Sequence, residues 1–183
     1  NLTGSGYFSS QPRWVLDGNA VLFLTDRYGM RSHASWGSLN DVMLVFMNKD
    51  AYDKFRLSKE DYELQKELEK EQKKNAEKAD ADKKKGKKKD DKKADKKEEK
   101  KDIDVQLDGI EDRIVRITPN SSEIADAIVD ADGESLYYLS AFEEGYDLWK
   151  LDLRKKSTEC LKKLDTSSAQ FDVQKDGKCI FIL

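Results

Sequence analysis

The 183 residues are 37% hydrophobic and 39% charged, with a net charge of −3, so the chain is more charged than an ordinary globular domain and part of it is not expected to pack. No apolar run is long enough to span a bilayer as a helix, and no signal-peptide pattern opens the sequence. Because it starts at Asn1 and stops at Leu183 within an apolar run, the chain is expected to be a segment of something longer.

Residues 1–11 are polar, with Gly4-Ser-Gly6 as a loop, and read as the end of an earlier structural unit. Strands are expected over 11–16 and 19–25. Between them lies Asp17-Gly18, and glycine accepts the positive φ that a tight hairpin turn demands. Val21-Leu-Phe-Leu24 is continuous rather than alternating, the pattern of a strand covered on both faces. A long loop from Asp26 to Asn40 then leads to a third strand over 41–47.

Residues 48–101 interrupt this pattern. Ser58-Lys-Glu-Asp61 is an imperfect capping box, and Leu57, Leu64 and Leu68 recur at helical spacing, which predicts a charged helix from about Ser58 to about Lys74. From there to Ile103 no apolar residue larger than Ala occurs. Such a lysine-rich segment buries too little surface to offset chain entropy and is expected to be disordered or a frayed, solvated helix. A strand over 112–118 resumes the first unit, and Pro119 to Ser122 connects it to the next.

The second unit carries predicted strands over 125–130, 134–140, 146–152 and 158–164, with Asp132-Gly133 in its first turn. A third begins at Val173 and turns at Asp176-Gly177 into Ile180-Phe-Ile182. Aligned on Gly18, Gly133 and Gly177, residue types recur: Trp14, Val129 and Val173 before the glycine, then Val21, Leu136 and Ile180, then Phe23, Tyr138 and Ile182 after it. The spacing of 44 residues from Gly133 to Gly177 matches a propeller-blade period. The predicted fold is therefore all-β: an incomplete β-propeller of about two four-stranded antiparallel blades plus the start of a third. The first blade occupies 1–47 and 102–119, the insertion 48–101, the second blade 120–164 and the third 165–183. Two blades and a start cannot close a ring, so faces made by Phe23, Tyr138 and Ile182 are expected to lack a cover and to promote association.

Sites of chemistry are sparse. Cys160 and Cys179 stand in neighbouring predicted strands, where a disulfide and two free, buried thiols are both open, the second being simpler. Neither has metal-ligand company, and no metal or cofactor motif is legible. Asp130-Ala-Asp132-Gly133 has the opening of a calcium loop without the remaining ligand spacing, and is read as a hairpin turn. Acids interleave the lysine run, which lacks Arg and aromatic residues, so nucleic acid is not an expected partner. No Gly-x-Ser-x-Gly elbow occurs and His33, the one histidine, has no evident orienting partner, so no catalytic residue is assigned. Trp14, Trp149, Tyr137 and Tyr138 are read as core. The candidate substrate-binding surface is the long loop with Arg27, Arg31, His33 and Trp36. The competing reading is that Arg31 and His33 only tie the loop to its sheet.

The Asp-Gly hairpins followed by Phe-Leu-Thr-Asp-Arg27-Tyr-Gly or by Tyr-Asp147-Leu-Trp149 resemble the propeller repeats of tricorn-type proteases and TolB-type periplasmic propellers. Gly29-Met-Arg-Ser-His-Ala-Ser-Trp-Gly37, Ala51-Tyr-Asp-Lys-Phe-Arg-Leu-Ser-Lys-Glu60 and Asp108-Gly-Ile-Glu-Asp-Arg-Ile-Val-Arg-Ile-Thr-Pro-Asn120 are similar to the N-terminal propeller of bacterial tricorn-like serine peptidases. That resemblance covers most of the chain. It implies a noncatalytic segment, periplasmic or otherwise extracytoplasmic with a cytoplasmic setting as the alternative, that gates or guides peptides toward a catalytic core absent from this chain, or assembles around that core. The alternatives are a TolB-like propeller that binds a protein partner, and the propeller cap of a prolyl-oligopeptidase-type hydrolase.

Overall fold

A computed structural model of the protein describes residues 1–33, 37–84, 102–173 and 179–183. Trp36, most of the lysine-rich run and the Asp176-Gly177 turn therefore lie outside the described residues. Asn1–Phe55 with Ile103–Leu183 form one compact unit, and Arg56–Asp102 a second.

The first unit is mostly β, built from three antiparallel sheets of four, four and two strands, with no closed barrel among the described residues. Strands β1 (Ser9–Val15), β2 (Ala20–Thr25), β3 (Asp41–Phe46) and β4 (Ile114–Arg116) pair in sequence order as the first sheet. The second repeats that order with β5 (Glu123–Val129), β6 (Ser135–Ala141), β7 (Tyr146–Asp152) and β8 (Ser157–Thr166). β9 (Phe171–Val173) and β10 (Ile180–Ile182) form the third. The expected fourth strand is shorter than 112–118, because a 3-10 turn over Ile110–Arg113 takes up its first residues.

Register explains the continuous apolar run. Ala20, Leu22 and Leu24 pair with Phe46, Leu44 and Val42, placing all six on one face, where they share a buried core with Val129, Leu136, Tyr138 and Leu151 of the second sheet. Phe23 and Met43 point the other way, into a second cluster with Val45, Met47 and Ile110. Phe23 and Tyr138 are thus buried, against the expectation that they lack a cover, because the two sheets share a core and the return segment carrying Ile110 packs on β3, joining the cluster that holds Phe23. Ile182, with Phe181 and Leu183, is exposed as expected. Trp14 is 56% exposed rather than core: among the described residues β1 pairs only with β2, so a side chain opposite Val21 sits at the sheet margin.

The first strands are neighbours, with β5 beside β1 and also beside β9. Polar side chains fasten them together. Gln11 Nε2 donates to the Ala125 carbonyl at 3.1 Å, and Arg13 Nη1 to that of Ala127 at 3.2 Å. The buried Asp126 carboxylate pairs with Arg13 at 3.2 Å and accepts the Phe171 N–H at 2.9 Å. β1 and β5 carry corresponding bulges, between Ser10 and Arg13 and between Ile124 and Asp126. A bulge bends its strand and re-aims side chains, here beside the residues that make these links.

The interruption leaves and re-enters β3–β4 at one place. Gln106 N–H donates to the Met47 carbonyl at 2.8 Å, and the buried Arg113 guanidinium donates to the carbonyls of Phe46, Asp108, Gly109 and Gln106. Helix α1 (Lys49–Arg56) begins here; it was not expected from the sequence. Asn48 caps it, Oδ1 accepting the Ala51 N–H at 2.8 Å, and Tyr52 and Phe55, three residues apart, reach Phe46 with ring centroids 5.7 and 4.9 Å away. At its C-terminal end Arg154 Nη1 donates to the Phe55 carbonyl at 2.6 Å, satisfying an otherwise open carbonyl. In the second unit, helix α2 (Lys59–Lys84) starts where the capping box places it, the Ser58 hydroxyl accepting the Asp61 N–H at 3.1 Å, and runs ten residues past the predicted end.

Candidate functional site

The long loop is built on Asp26. This buried carboxylate accepts the Phe8 N–H at 3.0 Å, the Arg31 guanidinium at 3.1 Å and the Ser38 hydroxyl at 3.4 Å. The loop folds back on itself through Leu39 N–H to the Met30 carbonyl and Ser32 N–H to that of Gly37, both at 3.0 Å. Gly29 is required at the crossing, since a Cβ there would lie 1.8 Å from the Leu39 carbonyl oxygen. The base of the loop is pinned to the second sheet's connector by Asn40 and Ser122, which exchange backbone hydrogen bonds of 2.8 and 3.1 Å. Beside it opens a cleft of about 410 Å³ lined by Phe8, Asp26, Arg31, Ser32, Gly37 and Ser38.

Of the predicted site residues, Arg27 and Arg31 are brought together on Tyr7. Their Cζ atoms stand 6.0 and 5.1 Å from the Tyr7 ring centroid. Arg27 also lies 5.5 Å from the Tyr28 ring, whose centroid is 5.1 Å from Arg116 Cζ. His33 is exposed, and Trp36 lies outside the described residues. Arg31 does tie the loop to its sheet, through Asp26.

Sequence reasoning missed the site's main support, Asp41. This fully buried carboxylate accepts Arg116 Nε and Nη2 at 3.0 and 2.8 Å, the Thr118 hydroxyl at 3.0 Å and the Ser121 hydroxyl at 2.8 Å. Asp147 is its counterpart in the second sheet: Asp41 pairs with Thr25 as Asp147 pairs with Ser140. Asp147 instead accepts the Leu164 and Asp165 N–H groups at 2.7 and 3.2 Å, and these donors hold its carboxyl below the usual carboxylate range. Asp152 is held low in the same way, by the Lys155 and Arg154 N–H groups of the β7–β8 turn. Burial pushes the Tyr138 phenol up to about 12.

Asp130 Oδ1 accepts the Glu134 and Ser135 N–H groups at 2.8 and 3.2 Å, so that carboxylate closes the β5–β6 turn, with Gly133 at φ 70°. Cys160 and Cys179 are free, and both are exposed rather than buried, Cys160 lying on the outermost strand of its sheet.

Among the described residues no three His, Cys, Asp or Glu side chains converge as a metal site, and no helix is long and apolar enough to cross a membrane. Comparison of the chain with family models, with curated proteins and with solved structures finds no match. Chemically, the loop presents guanidinium groups over phenol rings beside an open cleft, an arrangement suited to anionic and aromatic groups.

Proposed function

We propose that the chain is a propeller-type segment of a tricorn-like serine peptidase, without catalytic residues of its own, that guides peptides toward a separate core or helps assemble around it. The observation that carries this reading is the stack of sequence-ordered antiparallel sheets whose first strands β1, β5 and β9 lie side by side, fastened through Gln11, Arg13 and Asp126. Successive blades around one axis would require this arrangement. An extracytoplasmic setting goes with the same reading. The loop bearing Arg27, Arg31 and His33 is then the surface a passing peptide meets, because a rigid sheet pair presents it.

Peptide-length selectivity tests this. Arg27→Ala with His33→Ala in the full-length peptidase should slow hydrolysis of long peptides several-fold and leave very short ones unchanged, while Arg31 is kept because its loss would unseat Asp26. Equal effects on both substrates would contradict a role in access.

A further inference from the structure

We infer that the ladder Arg31, Tyr7, Arg27, Tyr28, Arg116 is a docking site for an acidic polypeptide segment, with a side-chain carboxylate seated on Arg27. The five side chains alternate cation and ring, each guanidinium carbon 5.1 to 6.0 Å from a phenol centroid. The two ends are neutralised internally: Arg31 pairs with the buried Asp26 at 3.1 Å and Arg116 with the buried Asp41 at 2.8 Å. Arg27 sits between the two rings, exposed, with no carboxylate partner among the described residues. Three guanidiniums against two carboxylates leave one positive charge, placed on a surface of a chain whose net charge is −3.

That charge is held ready for a ligand. Stacking between Tyr7 and Tyr28 limits the rotamers of Arg27, so less freedom is lost when its planar fork grips a carboxylate in two parallel hydrogen bonds. Tyr7 and Tyr28 are 44% and 49% exposed, leaving ring surface for the aliphatic stem of a Glu or Asp. The open cleft along Phe8, Arg31, Ser32 and Ser38 meets the ladder at Arg31 and gives the ligand's backbone and neighbouring side chains somewhere to lie. A free small carboxylate would use the fork but not the cleft, which is why a polypeptide is the expected source. This inference rests on the peptide-guiding reading only for the identity of the ligand, not for the binding itself.

The test is fluorescence anisotropy with an N-acetylated, C-amidated Gly-Glu repeat peptide, which carries side-chain carboxylates alone, against its Gly-Gln counterpart and against free acetate as competitor. Binding of the Glu peptide should weaken by about tenfold or more in Arg27→Ala, as expected for losing a charge-assisted pair. Arg27→Lys should recover part of it, and removal of a charge elsewhere, Lys156→Ala, should leave it unchanged. Among the described residues Arg27 makes no hydrogen bond that would unfold the loop when lost, so the melting temperature of Arg27→Ala should match the parent. Equal affinity of Arg27→Ala, equal loss in Lys156→Ala, equal binding of the Gln peptide, or displacement by acetate at concentrations matching the peptide's carboxylates would each overturn the inference. Arg27-dependent binding together with unchanged length selectivity in hydrolysis would leave this site standing and remove the peptide-guiding role.

Discussion

Asp41→Asn measures how firmly the first sheet is closed at its loop end. The buried carboxylate takes three side-chain donors on Oδ1 or Oδ2 besides the second nitrogen of Arg116, and Thr118 in turn accepts the Val42 N–H at 3.1 Å, so one residue organises β3, β4 and the connector. Asn keeps the shape but removes the charge and puts a donor where an acceptor is needed. A hydrogen bond to a charged group is worth about 1.5–3 kcal/mol. Arg116 is 33% exposed, so water recovers part of its share. The Thr118 hydroxyl is buried and recovers nothing. We therefore expect Asp41→Asn to cost about 2–3 kcal/mol, and Asp41→Ala, which also opens a cavity, about 3–5 kcal/mol. Urea unfolding followed by tryptophan fluorescence gives the loss from the midpoint at constant slope. Asp147→Asn is the internal comparison and should cost less, because its partners are backbone groups at a more open site. A cost for Asp41→Asn below about 1 kcal/mol, or no greater than for Asp147→Asn, would refute the view of Asp41 as a buried hub.

Gly29→Ala should destabilise strongly, since its Cβ would meet a backbone oxygen that cannot step aside, whereas Gly6→Ala, with nothing within 4 Å, should leave the melting temperature unchanged. On acidification, Asp147 and Asp152 bind protons less readily when folded than when unfolded. Stability should hold above their ordinary value of 3.8 and fall as pH drops through the lower folded values, and a urea midpoint series from neutral pH downward should show less of this fall in Asp147→Asn. Replacing residues 77–99 with a short Gly-Ser linker should keep the β-signal in circular dichroism, because Gln106 and Arg113 fix the return to β3 independently of what lies between. Loss of that signal would show that the segment is structural.

The strands were legible because apolar runs and Asp-Gly turns mark their limits directly. At Asp17-Gly18 the turn uses left-handed backbone at Gly18, φ 84°, as the Gly implied, and also at Leu16 and Asp17, φ 55° and 53°, which it did not. Helix α1 was hidden because only Met47 and Asn48 separate it from β3, leaving Asn48 and the Tyr52, Phe55 spacing as signals. Trp14 misled because residue type speaks for burial while edge position decides it. The equivalence of Asp41 and Asp147 was obscured by the unequal loops before them, so alignment on the glycines fails just where the pair would appear. Part of the candidate site was legible as a loop with Arg27 and Arg31. Tyr7 and Arg116 come from distant parts of the chain, and only the pairing of β1 with β2 and of β3 with β4 brings them to that loop.

The central proposal is that this stack of sheets serves a serine peptidase whose chemistry lies elsewhere, and active-site labelling of the native polypeptide tests it most directly. Treated with a serine-directed fluorophosphonate and mapped by mass spectrometry, the polypeptide that contains residues 1–183 should carry one modified serine outside that span, with peptide hydrolysis lost in step. Modification of a serine within the span, or hydrolysis that survives with no serine labelled, would contradict the account.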